Sequence, residues 1–197
     1  MNSNNDPYKL FDDLNPDQQM LIAATLVERM LPNYLLFSEV TKFGEGKVLR
    51  DALNIVWEKL IVKNLKLNID KQLEKIEPNI PDIADFDLFG VYPALDSAMA
   101  LTALLYGVGG ADGDPLSDVC KLSQGSVSKV AEQELMADNE SASEAMLEQH
   151  ELMQYEINFV AELIEMLGNN TKPNKALVNQ FRARALADGI TNIGIEV

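Results

Sequence analysis

Apolar side chains recur every three to four positions along most of this chain, and that spacing predicts α-helix. Met20, Ala23, Ala24, Val27, Met30 and Tyr34 fall on one stripe, and Leu49, Ala52, Leu53, Val56 and Leu60 on another. Met146, His150, Met153, Ile157, Val160, Ile164 and Leu167 alternate steps of four and three over three heptads. Such a seam packs one helix against another, and its short length suits a bundle contact better than a long coiled coil. From Pro93 to Tyr106 the chain is apolar nearly all round, which predicts a central buried helix. No segment shows sustained strand alternation between hairpin turns; Ile190 to Val197 is the one β-like piece.

Helix start signals punctuate this pattern. Asp6-Pro7, Asn15-Pro16 and Asp114-Pro115 each place a capping side chain before a proline at the first helical position. Gln18 follows Asn15, and Glu144 follows Ser141, at the spacing of a capping box. Gly189 suits a helix stop. The expected helices run over 7–13, 16–31, 33–42, 46–63, 68–77, 93–108, 115–137, 143–168 and 173–188, with some merging to leave seven or eight. The fold class is therefore all-α: a single-domain multi-helix bundle over 1–197 with a short irregular C-terminal tail. Gly107 to Asp114, reading GVGGADGD, is the candidate hinge or subdomain boundary.

Charge changes the functional picture. The net charge is −15 over 197 residues, and between Val130 and Thr171 there are ten acidic residues and no Lys or Arg. Phosphate backbones repel such a surface, so nucleic acid is excluded as a partner. A solvated face accounts for most charge runs of this kind; the sharper reading of 130–171 is a docking surface for a basic protein partner. The longest apolar stretch, Val91 to Gly110, is interrupted by Asp96, Ser97 and Thr102 and lacks close basic flanks, so a core helix is expected rather than a membrane span. The N-terminal residues carry no secretory pattern. The one cysteine, Cys120, cannot form an intrachain disulfide and reads as a small core residue. Together these point to a cytoplasmic protein.

Recognisable catalytic sets are missing. His150 is the only histidine, and Leu147 stands where a di-iron Glu-x-x-His motif needs its glutamate. One His and one Cys do not make a zinc site. FGEG at Phe43–Gly46 and GVGG at Gly107–Gly110 match no phosphate-binding loop. Glu74-x-x-Glu77, Glu148-x-x-Glu151 and Glu162-x-x-Glu165 each put two carboxylates on a helix face, as in helical Mg²⁺ pyrophosphatases, but the complementary Glu-x-x-Asp is absent. No metal and no cofactor is assigned.

Two segments remain as candidates. In Asp82–Asp96, DIADFDLFGVYPALD, Asp85 and Asp87 straddle Phe86, Gly90 permits a positive-φ turn, and Pro93 starts the helix with Asp96 in its first turn. Capping explains a first-turn Asp by itself; the functional reading is a carboxylate cluster for a cation, amine or guanidinium, with Tyr92 beside it. In Glu28–Phe37, ERMLPNYLLF, Pro32 frees the carbonyl of Glu28 and kinks or breaks the helix, placing Asn33 and Tyr34 at the break with Glu28 and Arg29 one turn back.

These segments, with FGEG, LNIVWEKL, NIDKQLEKIE and the terminal TNIGI, resemble the YjaG family of small bacterial proteins over nearly the whole chain. The resemblance implies an all-helical cytosolic domain of unknown function and supplies no catalytic or binding residue. The expected function is a non-enzymatic binding domain, homodimeric through the Met146–Leu167 seam. The alternative is a small-ligand or divalent-metal enzyme using Asp85, Asp87 and Asp96, with Tyr92, Arg29, Asn33 and Tyr34 in the pocket.

Overall fold

Asn15 opens the first helix with a full capping box. Its side chain accepts from the Gln18 N–H at 3.1 Å, and the Gln18 side chain accepts from the Asn15 N–H at 2.9 Å. The computed structural model describes residues 9, 11, 13–62, 64–137, 142–170 and 172–197. Among them it has eight helices: α1 (Pro16–Thr41), α2 (Gly46–Ile61), α3 (Ile69–Ile76), α4 (Val91–Val108), α5 (Pro115–Ala137), α6 (Glu144–Gln149), α7 (Glu151–Leu167) and α8 (Lys175–Arg184). The described residues hold no strand, only an isolated bridge between Ile190 and Glu196.

α1 is the hub. It packs against α2, α4, α5, α7 and α8, so nearly every position from Met20 to Leu31 is buried. A helix covered on all sides keeps no polar stripe. α1 and α4 are both long and apolar enough to cross a membrane by length and composition; 83% and 56% of their apolar windows are buried inside the protein. α4 and α5 form a helical hairpin whose closed end is Gly109–Asp114. Asp114 caps α5, accepting from the Ser117 N–H at 3.0 Å. At Gly107 a Cβ would sit 2.6 Å from Pro115 Cγ, so glycine is what lets the end of α4 lie against the start of α5.

Several local expectations are corrected. The helices expected at 16–31 and 33–42 are one: Pro32 neither breaks nor ends α1. Burial of Leu31 just before the proline and of Asn33, Tyr34 and Phe37 beyond it holds the helix together across the lost hydrogen bond. α4 begins at Val91, not Pro93, and Gly90 has φ −57°, an ordinary helical value rather than a positive one. Asp96 is therefore beyond the first turn and caps nothing. The helix expected over 143–168 is interrupted at His150, whose ψ of 141° is extended. There the imidazole Nδ1 accepts from the Leu152 N–H at 3.4 Å, so the histidine caps α7 instead of riding a continuous stripe. Asp6, Pro7 and Ser141, read as helix-start residues, lie outside the described set. The observed cap of α6 is Ser143, which accepts from the Met146 N–H at 3.3 Å. Cys120 is a buried core residue, and burial pushes its thiol well above the usual range.

Candidate functional site

The polar residues of α1 lead into the core. Glu28 accepts from the Trp57 indole N–H at 2.7 Å, pairs with Arg50, and lies 3.7 Å from Arg182 Nε. One carboxylate thus ties α1 to α2 and α8. The next residue, Arg29, is 1% exposed and forms an ion pair with Glu156 of α7, itself 1% exposed. The Phe159 and Tyr155 rings lie 4.3 and 4.7 Å from the guanidinium, so aromatic faces replace water around the charge. Ser123 of α5 donates to the other oxygen of Glu156.

From there the network reaches the C-terminal segment. Asn192, fully buried, donates to Ser123 Oγ at 3.1 Å and accepts from Asn33 Nδ2 at 2.8 Å. Arg29, Glu156, Ser123, Asn192 and Asn33 thus form a chain that leaves α1 and returns one turn later. At its two ends, Arg29 Nη2 and Asn33 Oδ1 have no hydrogen-bond partner among the described residues. Tyr34 points the other way and donates to the Asn79 carbonyl at 2.7 Å; burial pushes its phenol up to about 12. Nearby, Arg184 holds Glu162 through two bonds of 2.7 Å and Asp188 at 2.9 Å. The Arg184 hydrogen bond holds Glu162 below the usual carboxylate range, and the Tyr155 hydroxyl does the same for Asp188.

The second candidate segment meets the first, but not through its carboxylates. Phe86 packs edge-on against Phe37 at 4.9 Å, and Ser97, the residue just past the segment, donates to the Met30 carbonyl at 2.9 Å. Asp85 and Asp87 are exposed on either side of Phe86. Asp96 is buried elsewhere, accepting from Ser126 Oγ and Lys129 Nζ, each at 2.8 Å. Lys129 also stands 5.6 Å from the half-buried Tyr92 ring. Asp85, Asp87 and Asp96 therefore do not share one pocket with Glu28–Tyr34. Among the described residues no three His, Cys, Asp or Glu side chains converge as a metal site would require.

Sequence reasoning missed Glu156, Ser123 and Asn192. Glu156 carried a legible signal, because it lies between Met153 and Val160 on the apolar face of its helix. Ser123 and Asn192 carried none.

All four arginines of the chain are engaged within the protein: Arg29, Arg50, Arg182 and Arg184. Acids such as Asp70, Glu74, Asp82, Asp85, Asp87 and Asp112 face outward. The outer surface also shows a groove of about 530 Å³ between α4 and α5 at the closed end of their hairpin, with Met99, Ala103, Tyr106 and Leu122 in its lining.

Comparison with known proteins places these features in a family. Residues 8–196 match the family model described as "Protein of unknown function (DUF416)". The uncharacterized protein YjaG of Escherichia coli (strain K12) is 36% identical over 178 residues, covering 90% of each chain. An uncharacterized protein of Haemophilus influenzae is 35% identical over 191 residues, covering 96% of each. The crystal structure of a DUF416 family protein from Shewanella baltica OS155 superposes with a TM-score of 0.86 at 38% identity, covering 96% of this chain and 98% of that one.

Proposed function

From the premise that this chain belongs to the DUF416 family, we propose that it is a non-enzymatic binding domain of the bacterial cytoplasm whose acidic surface docks a basic protein partner. The observation that carries this reading is the disposition of charge. Every arginine is engaged within the fold, while acids such as Asp70, Glu74, Asp82, Asp85, Asp87 and Asp112 face outward on a chain of net charge −15. Phosphate-bearing ligands favour bidentate arginine contacts, and this fold keeps its guanidinium groups for its own carboxylates. The buried acids are also paired to neighbouring side chains rather than aimed into an open cleft, which supports binding over catalysis. Buried Cys120 supports a reducing compartment.

Self-association is one form this binding can take. The Met146–Leu167 seam packs against α1 and α5 of its own chain, with Val160 and Leu167 buried there. Met146, Met153, Ile157 and Ile164 of the same seam are only half-buried, which leaves part of it for a second copy.

The test is titration of the full chain with a lysine-rich amphipathic peptide, its glutamate counterpart and a DNA duplex, each at two salt concentrations. Binding of the basic peptide alone, weakening with salt, is the expected result. Binding of duplex, or no binding of the basic peptide, overturns the proposal. A thermal shift with Mg²⁺, Mn²⁺ or a nucleotide would transfer support to the enzyme alternative, since saturation at a hundred times the dissociation constant adds about 2.7 kcal/mol.

A further inference from the structure

α4 contains one charged residue, Asp96, and that one is buried against Lys129. The outer face of the helix is consequently uncharged. Met99, Thr102, Ala103 and Tyr106 follow one another at steps of three, one and three, and Met99 and Tyr106 are 40% and 51% exposed. A single exposed apolar side chain is ordinary on a protein surface. Here two large ones flank a concave groove whose opposite wall is Leu122 of α5.

The charge returns at the closed end of the hairpin. Asp112, Asp114 and Asp118 edge that end of the groove against one lysine, Lys121, which lies 3.9 Å from Asp118. All four side chains are exposed. The C-terminal end of α4 points at the same place, and its last turn contains no basic residue. The start of α5 lies beside it across the hairpin, where Asp114 and Asp118 also complement the positive end of the α5 dipole. An apolar floor and an acidic end wall favour the same occupant: a segment with apolar side chains on one face and Lys or Arg near one end.

We infer that the α4–α5 groove is the docking site for a cationic amphipathic helix of a partner protein. Its apolar face lies along Met99, Ala103 and Tyr106, and its basic residues meet Asp112, Asp114 and Asp118. This is the helix-in-groove mode, in which anchors at i, i+3 or i+4 and i+7 supply affinity and rim charges supply orientation and on-rate. The inference rests on the proposed binding role and assigns it a place and a partner chemistry.

The experiment uses fluorescence anisotropy of a labelled lysine/leucine amphipathic peptide with the full-length protein and four variants. Met99→Glu and Tyr106→Glu change the apolar floor at exposed positions. Asp112→Asn/Asp118→Asn removes two charges at the groove. Asp85→Asn/Asp87→Asn removes the same two charges on a different loop. Circular dichroism confirms that each variant is folded. The expected result is at least a tenfold loss for either glutamate variant and about fivefold for the groove pair at low salt, with less than twofold for the remote pair. Equal losses for the two aspartate pairs, with no effect of Met99→Glu or Tyr106→Glu, overturn the groove while leaving the binding role standing. Absence of peptide binding to the unaltered protein removes the binding role itself.

Discussion

Replacing Glu156 by leucine strips the counter-ion from a guanidinium that water cannot reach. Arg29 is 1% exposed and lies between the Tyr155 and Phe159 rings, so it cannot turn outward to be solvated. Breaking a buried pair from one side costs about 3–5 kcal/mol. For a domain of this size each kcal/mol lowers the melting temperature by roughly 2–4 °C, so Glu156→Leu should melt about 6–20 °C below the parent. The double variant Arg29→Met/Glu156→Leu removes both charges and keeps apolar volume beside the rings. Ser123 and Asn192 remain bonded to each other, and the chief loss is the serine's acceptor, worth about 1–2 kcal/mol. The double variant should therefore be more stable than Glu156→Leu alone. Guanidinium unfolding of the parent, both single variants and the double completes the cycle. If the effects of the two single variants simply add, within about 0.5 kcal/mol, the pair is not coupled in a water-free core and the reasoning fails.

Two other substitutions test separate parts of the structure. Gly44 has φ +65°, and an added Cβ would run into the Tyr34 hydroxyl, so Gly44→Ala should cost about 1–3 kcal/mol and disturb the Tyr34–Asn79 bond; an unchanged denaturation midpoint would contradict this. Tyr34 has its phenol raised to about 12 by burial, above an ordinary value near 10.0, so its contribution is intact below pH 10 and lost as the pH climbs from about 10 to 12. In Tyr34→Phe the fall in stability over that alkaline window should be shallower, and a parallel fall in both proteins would mean that another group controls it.

The helical bundle was legible because its evidence is local. Periodicity and caps such as Asn15 and Asp114 operate within a few residues of chain. Pro32 misled because breaking a helix is a local tendency, whereas burial of Leu31, Asn33 and Tyr34 against distant helices is a tertiary effect that outweighs it. His150 misled in the opposite sense: its position on an apolar stripe suggested an uninterrupted helix, yet its ring caps a new one. At the candidate site, the sequence singled out Glu28, Arg29 and Asn33 but not what they meet. Their partners lie far along the chain, and Glu156 was concealed within a stretch whose other acids favour solvent. Asp85, Asp87 and Asp96 looked like a cluster because they are close in sequence. A short loop and a helix turn are enough to point them at different surroundings.

The internal network also bears on how this chain folds. Helical proteins are usually quick because most of their contacts join near neighbours. Here the central rod is satisfied from far away: Arg29 bonds across 127 positions, Gln18 across 152 and Asn33 across 159. Individual helices can flicker into being early, but the polar groups at the middle of α1 must stay hydrated until residues 156 and 192 arrive. The rate-limiting event should thus be a late, concerted drying of the interior, and refolding should be slower than the helix content alone would suggest.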